Sequence, residues 1–491
     1  MMGKDNSEFS PHPASSSHQR KRGSKKAMKT IGQANDTNSQ KEKTWSDSPE
    51  LHGKGMPLSK YNFPKDLRRL GGDFSVEENV KRLLRFFLFE RNVLRSIAGW
   101  SMGTPEFEVK LEFGRHIYWH AEAGMKIRTR LTELRTAEET TDKFQSEDIS
   151  EFFSELLYSE TQAHFLAALY GVILPHLKQA YLEHSAHTDQ IADAPTVRMI
   201  RQILVDYDEM VSWGKSAIEA YVQGGYSEPS LHKWQYHIEK LLRAFGGVTG
   251  TLIKGPRPDV LHSSGKPPFE RSFIATRDPR FGTFEHTYEY QVADEGQIEY
   301  ETEFDKTRLN LVRTQRDEMD AIETFGNVLY EIRDVPFGFD YDLARIIWDE
   351  TRHTELGHKA MEALGHNPYD LLNRLLGIKV RTKMPALYSL AEINLFGEAN
   401  IVQECLRYAR EAYDKGDNLT GRMFDYVNAD ERTHLTKGVH WLKHIFDTDS
   451  VQEIEQRTKK VAVDRLLELG IIDHEVALTI SHRELAKIIG E

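Results

Sequence analysis

Apolar residues recur every three to four positions from the stretch FSVEENVKRLLRFFLFERNVLRSIAGW onward, and that spacing predicts long amphipathic helices. Four such patterns precede residue 225, over about 76–99, 109–136, 148–184 and 195–222. Four more follow Asp305, over about 305–333, 341–364, 385–414 and 419–446. Between the two sets, residues 225–304 carry turn residues (GGVTG, KGPRPD, SSGKPP). This connecting segment ends in the alternating runs TFEHTYEYQV and QIEYETEF around ADEG, a pattern that predicts a small β-hairpin. After residue 449 the pattern breaks into two or three short helices. The first 60 residues hold almost no aliphatic side chains, so a disordered tail is expected there.

The two sets of helices resemble one another. Glu112–Gly124 aligns with Asp342–Thr354, placing Arg115 over Arg345 and Tyr118 over Trp348. LYSETQA aligns with LFGEANI, with Glu160 over Glu398. VRMIRQILVDYDEMVSWG aligns with GRMFDYVNADERTHLTKG, with Arg198 over Arg422 and Gly214 over Gly438. The offsets of 230, 238 and 224 residues suit a duplication with small loop changes. The expected organisation is an all-α protein: a basic tail (1–60), a helical set (70–224), a linker with the hairpin (225–304), a second helical set (305–447) and short C-terminal helices (448–491).

Composition narrows the class. The 64 Lys and Arg against 76 Asp and Glu leave a net charge of −12, which disfavours nucleic acid as a partner of the body. Only the cluster HQRKRGSKKAMK in the tail offers a weak electrostatic hook. A single cysteine, Cys405, excludes an intrachain disulfide framework and a Cys-rich metal site. The longest apolar run, FLAALYGVIL, is far short of the ~20 residues a bilayer requires, and no apolar segment follows the initiator Met. The expectation is a cytoplasmic protein without a membrane partner.

Chemistry enters with two matching stretches. WDETRHTELGHKAM carries Glu350 and His353, and NADERTHLTKG carries Glu431 and His434, each Glu preceded by an Asp. A Glu and a His three residues apart share one helix face and can meet one metal ion. Two copies, on the second and fourth helices of one set, call for one carboxylate from each remaining helix. Helix three offers Glu398, the only polar residue on the stripe Leu395, Glu398, Val402, Cys405, Ala409. Buried there alone it would cost several kcal/mol, so it must be paired, protonated or ligating. Helix one offers Glu318 or Glu323; Glu318 is preferred, since its stripe is the more apolar. Antiparallel geometry agrees. The midpoint of Glu398 and Glu431 falls in the turn DKGDN, and that of Glu318 and Glu350 beside VPFG.

Six candidate metal ligands emerge: Glu318, Glu350, His353, Glu398, Glu431 and His434. Hard oxygen with imidazole suits two iron ions, with manganese the alternative. Asp349 and Asp430 are candidates to orient the imidazoles. His358, eight residues after Glu350, is turned about 80° around the helix and belongs to the rim or core.

This pattern resembles the ferritin-like di-iron carboxylate superfamily, which includes rubrerythrins, ribonucleotide reductase small subunits and di-iron oxygenases. The resemblance covers residues 305–446 and implies a ferritin-like four-helix bundle in which Glu350 and Glu431 bridge or cap the irons. It implies an oxidase or oxygenase acting on O₂ and a small organic substrate, with room for an electron donor. The alternatives are an iron-oxidising or peroxide-scavenging stress protein and a non-catalytic, metal-stabilised interaction protein. The first set lacks both Glu-x-x-His pairs: His120 and Ala123 stand over Glu350 and His353, and Tyr207 and Met210 over Glu431 and His434. It is expected to be a degenerate copy, with Glu90, His116, His120, Glu160 and His164 as a residual cluster for a single ion.

Overall fold

The computed structural model describes residues 66–490 except 69 and 285–299. Residues Asp66 to Glu491 form one compact unit. The described chain is all-α, apart from two two-residue strands, β1 (Thr283–Phe284) and β2 (Asn373–Arg374), which pair in parallel with Thr283 opposite Asn373. Most of the predicted hairpin, and the predicted disordered tail with its basic cluster, lie outside the described residues. No described helix is long and apolar enough to cross a membrane.

The first half comprises α1 (Val76–Ser101), α2 (Phe107–Glu133), α3 (Glu138–Asp142), α4 (Glu147–Leu157), α5 (Gln162–Ala168), α6 (Leu174–His187) and α7 (Ala194–Gln223). A π-helical turn, Leu169–Ile173, joins α5 to α6. Ser75 starts α1 by accepting the Glu78 amide, and Glu77 and Glu78 complement the helix dipole. The predicted helix 148–184 is broken at 158–161. There the Ser159 hydroxyl turns back to the Leu156 carbonyl while Thr161 caps α5 through the His164 amide. Local side-chain capping outweighs the apolar periodicity at that point.

Residues 225–304 are not merely a linker. They open with a seventeen-residue helix, α8 (Glu228–Ala244). Pro229 suits its first turn, and Leu231, Trp234, Ile238 and Leu241 form the buried stripe packed on the first half. The second half follows as α9 (Glu303–Asp317), α10 (Met319–Glu331), α11 (Phe337–Ala363), α12 (Leu376–Arg381), α13 (Ala386–Glu392), a π-helical segment (Ile393–Glu398), α14 (Ala399–Asp414) and α15 (Asn418–Phe446). The chain closes with α16 (Val451–Glu468), α17 (His474–Thr479) and α18 (His482–Gly490). Asp417 caps α15 by accepting the Thr420 amide, and Gly416, at φ +78°, makes the left-handed turn before it.

The two halves share one apolar core. Their first helices, α1 and α10, pack on each other, as do their second helices, α2 and α11. Tyr118 stacks on Trp348 with centroids 4.8 Å apart and rings 12° from parallel. Gly114 and Gly124 make this approach close: a Cβ would meet the Thr351 hydroxyl at 1.9 Å and the Phe337 ring at 2.6 Å. Buried Asp340 is held from the other half by Arg91 and Arg95, each at 2.6 Å.

Candidate metal centre

The six predicted residues arrive from four helical segments and meet in one buried volume. Glu350 and His353 lie on α11, and Glu431 and His434 on α15. Glu318 occupies the break between α9 and α10, and Glu398 ends the π-helical segment. Helix one was expected to run unbroken over 305–333, and helix three over 385–414. Both carboxylates that lack a histidine partner on their own helix therefore sit at irregularities, where a widened or broken turn re-aims a side chain.

Two groups of ligand atoms result. One joins Glu318, Glu350, His353 and Glu431; the other joins Glu350, Glu398, Glu431 and His434; within each, the ligand atoms lie within 4.8 Å of one another. Glu350 and Glu431 belong to both. His353 Nδ1 lies 3.6 Å from Glu350 Oε2 and 3.4 Å from Glu431 Oε1. His434 Nδ1 lies 3.1 Å from Glu350 Oε1 and 3.2 Å from Glu431 Oε2. Each shared carboxylate thus turns one oxygen to each imidazole. Glu318 closes the first group at 3.0 Å from His353 Nδ1, and Glu398 the second at 3.9 Å from His434 Nδ1.

The outward nitrogens are held crosswise. His353 Nε2 lies 3.3 Å from Asp430, and His434 Nε2 lies 3.4 Å from Asp349. Each aspartate therefore serves the imidazole of the opposite helix, leaving both Nδ1 atoms for the centre. Arg352 ties the two aspartates together, pairing with Asp349 and, at 2.7 Å, with Asp430, while Arg345 holds Asp349 at 2.9 Å. Arg352 was missed in the sequence. Its signal is its place three residues after Asp349, which reads equally well as a surface ion pair.

Glu323, the other helix-one candidate, is elsewhere. It is fully buried against Lys110 and Arg277, in a network that also holds Asp320. His358 is likewise outside the centre, stacked on Phe107 at 4.9 Å.

Four buried carboxylates around two imidazoles make a costly cluster unless cations or protons neutralise it. Burial pushes the Glu318 carboxyl up to about 8 against the pull of His353, with Glu350 and Glu398 adding to the rise. Burial, reinforced by Glu398, also lifts Glu431 well above the carboxylate range. Burial would lower both imidazoles, but Glu318 beside His353 and Glu431 beside His434 hold them well above their ordinary value. Burial opposes ionisation of Glu350 too, yet the two imidazoles beside it hold it down to about 2. Glu318 Oε2, Glu350 Oε1, His353 Nδ1 and Glu398 Oε2 are buried and carry no hydrogen bond. Such orphaned atoms, spread over the two groups, fit cations that they would ligate. The group can hold a metal ion.

The residual cluster of the first half is not gathered. Glu160 is exposed in the break before α5. His164 is held by Thr161 at 2.8 Å and Ser230 at 3.0 Å, and His116 meets the Tyr170 hydroxyl at 2.7 Å. Only Glu90 and His120 meet, at 2.5 Å, and Glu90 also accepts from Tyr181 at 2.5 Å and Tyr207 at 2.7 Å. The pairing of Glu160 with Glu398 also needs correction. The π-helical segments begin at Leu169 and Ile393, 224 residues apart. Gly214 packs on Tyr170 as Gly438 packs on Asn394, each pair again 224 apart. Leu174, not Glu160, stands where the second half has Glu398.

Residues 302–468 match a family model described as protein of unknown function (DUF455), a span that includes all six residues of the centre. Comparison with curated proteins and with solved structures finds no match.

Proposed function

We propose that residues 305–447 are a ferritin-like four-helix bundle holding two iron ions, and that the protein is a non-haem di-iron oxidase or oxygenase. The observation that carries this reading is the pair of ligand groups sharing Glu350 and Glu431, with buried atoms that no protein group satisfies. In it, Glu350 and Glu431 would be shared by both ions, Glu318 with His353 would complete the ligands of one, and Glu398 with His434 those of the other. The first half is a duplicated bundle that lost its ligands. Matched positions such as Tyr118 and Trp348 meet face to face, as residues near a two-fold axis do.

Bound iron would supply the electrons and open coordination positions that reduction of O₂ requires. The chain's own contribution is geometry and exclusion of water. Asp349 and Asp430 hold the imidazoles with Nδ1 inward, and Arg352 keeps both aspartates charged and in place. A cavity of about 140 Å³ touches Glu318, Glu350, Glu398 and Glu431 and is walled by Ile393, Phe396 and, from α18, Ile489. It is the approach available to O₂ and to a small oxidisable group.

Anaerobic titration with Fe(II) should saturate at about two ions per chain, and the combined Glu350→Ala and His434→Ala change should abolish uptake. Retention of two irons by that variant sinks the assignment. Steady O₂ consumption with one organic compound would support the oxygenase. Iron uptake followed by a single oxidation, with no turnover of any organic compound, would instead favour an iron-storing protein.

A further inference from the structure

A second cavity, about 780 Å³, lies between the start of α2, the later turns of α11 and the first turns of α15. It shares no candidate ligand with the metal centre; Arg352 alone reaches both surroundings. Its volume is that of a small-molecule site, and Phe107, Leu356 and Met423 give it an apolar wall. His358 lines it, buried, with Nδ1 lacking any hydrogen-bond partner.

The charges around it are not balanced. Of its two carboxylates, Glu108 is taken by Arg280 at 2.6 Å and Glu355 by Arg115 at 3.2 Å. Among its cations, Lys359 is taken by Glu362 at 2.8 Å and Arg352 by the two aspartates. Arg422 donates only to the Asn418 carbonyl, and no carboxylate among the described residues pairs with it. What remains for a ligand is one free guanidinium, one unsatisfied imidazole nitrogen and an apolar wall.

We propose that this cavity binds a small amphipathic anion, with its carboxylate on Arg422 and its apolar body between Phe107, Leu356 and Met423, within reach of His358. The site is independent of the metal centre and stands whether or not that centre binds iron. Dodecanoate, below its micelle concentration, is a direct probe of the full chain by calorimetry. One molecule should bind per chain, and dodecylamine should bind far more weakly. Arg422 is exposed, so Arg422→Gln should leave the fold intact and weaken dodecanoate by about tenfold or more, the loss of one charge-assisted contact. Leu356→Trp, which fills the cavity from a half-buried position, should abolish binding. The Glu350→Ala, His434→Ala protein should bind dodecanoate as well as the unaltered chain. Equal binding of the amine, or dodecanoate binding unchanged in both Arg422→Gln and Leu356→Trp, overturns the proposal.

Discussion

Each half of this chain buries carboxylate, and the two settle its charge in opposite ways. Around Glu90 the protein supplies every partner: one imidazole and two phenol hydroxyls converge on two oxygens. Around Glu350 and Glu431 it supplies further carboxylates, and four buried polar atoms are left without hydrogen bonds. A hydrogen-bonded buried charge is a structural element, because its donors satisfy it. A cluster of carboxylates with orphaned atoms can hold cations. The difference comes down to a few positions, since Tyr207 and Met210 stand where the second half has Glu431 and His434.

The largest expected effect separates the halves outright. Glu350→Ala with His434→Ala should remove all bound iron, whereas Glu90→Gln should leave iron content unchanged, both read by metal analysis of the reconstituted protein. Loss of iron in the Glu90 variant would break the comparison. Next comes stability. Glu90→Leu strands the His120 nitrogen and the Tyr181 and Tyr207 hydroxyls in the core and should destabilise by about 3–5 kcal/mol, measured by denaturant unfolding of the metal-free protein. A smaller effect is expected behind the imidazoles. Asp349→Asn and Asp430→Asn should each weaken iron affinity by roughly 10- to 100-fold, with the fold retained by circular dichroism. Equal affinity in both variants would mean that the crosswise contacts do not position the histidines.

The mildest handle is pH. Burial raises Glu318 to about 8, so between the ordinary carboxyl range and pH 8 the folded metal-free state holds a proton that the unfolded chain has released. Stability of the metal-free protein should therefore fall as pH rises from about 5 to 8, and be fullest below about 4.5 as far as this group is concerned. Iron, by ligating the ionised carboxylate, should flatten that slope. A metal-free protein whose melting temperature is level over this window would show that Glu318 ionises freely and that the cluster is less desolvated than its geometry implies.

Much of this was legible along the chain. Glu-x-x-His on two helices, one Glu on an otherwise apolar stripe and equal distances from the connecting turns were enough to nominate six residues, and those six converge. The preference for Glu318 over Glu323 rested on a stripe, and the structure gives the reason: Glu323 is already claimed by Lys110 and Arg277, one from the other half of the chain and one from the connecting segment. Where periodicity failed, a local or distant contact had overridden it. Capping by Ser159 and Thr161 broke a predicted helix, and packing on the first half ordered α8 inside what read as a linker.

The sequence by itself determined the helical class and which residues could share a helix face. These follow from a 3.6-residue period that each helix carries within itself. Only the tertiary structure decided which face meets which. It set the crosswise hold of Asp349 on His434 and Asp430 on His353, the break at Glu318 and π-helical turn at Glu398 that aim both carboxylates inward, and the exclusion of Glu160 from the first half's core. The crosswise contacts join residues 77 and 85 positions apart, for which local spacing carries no information.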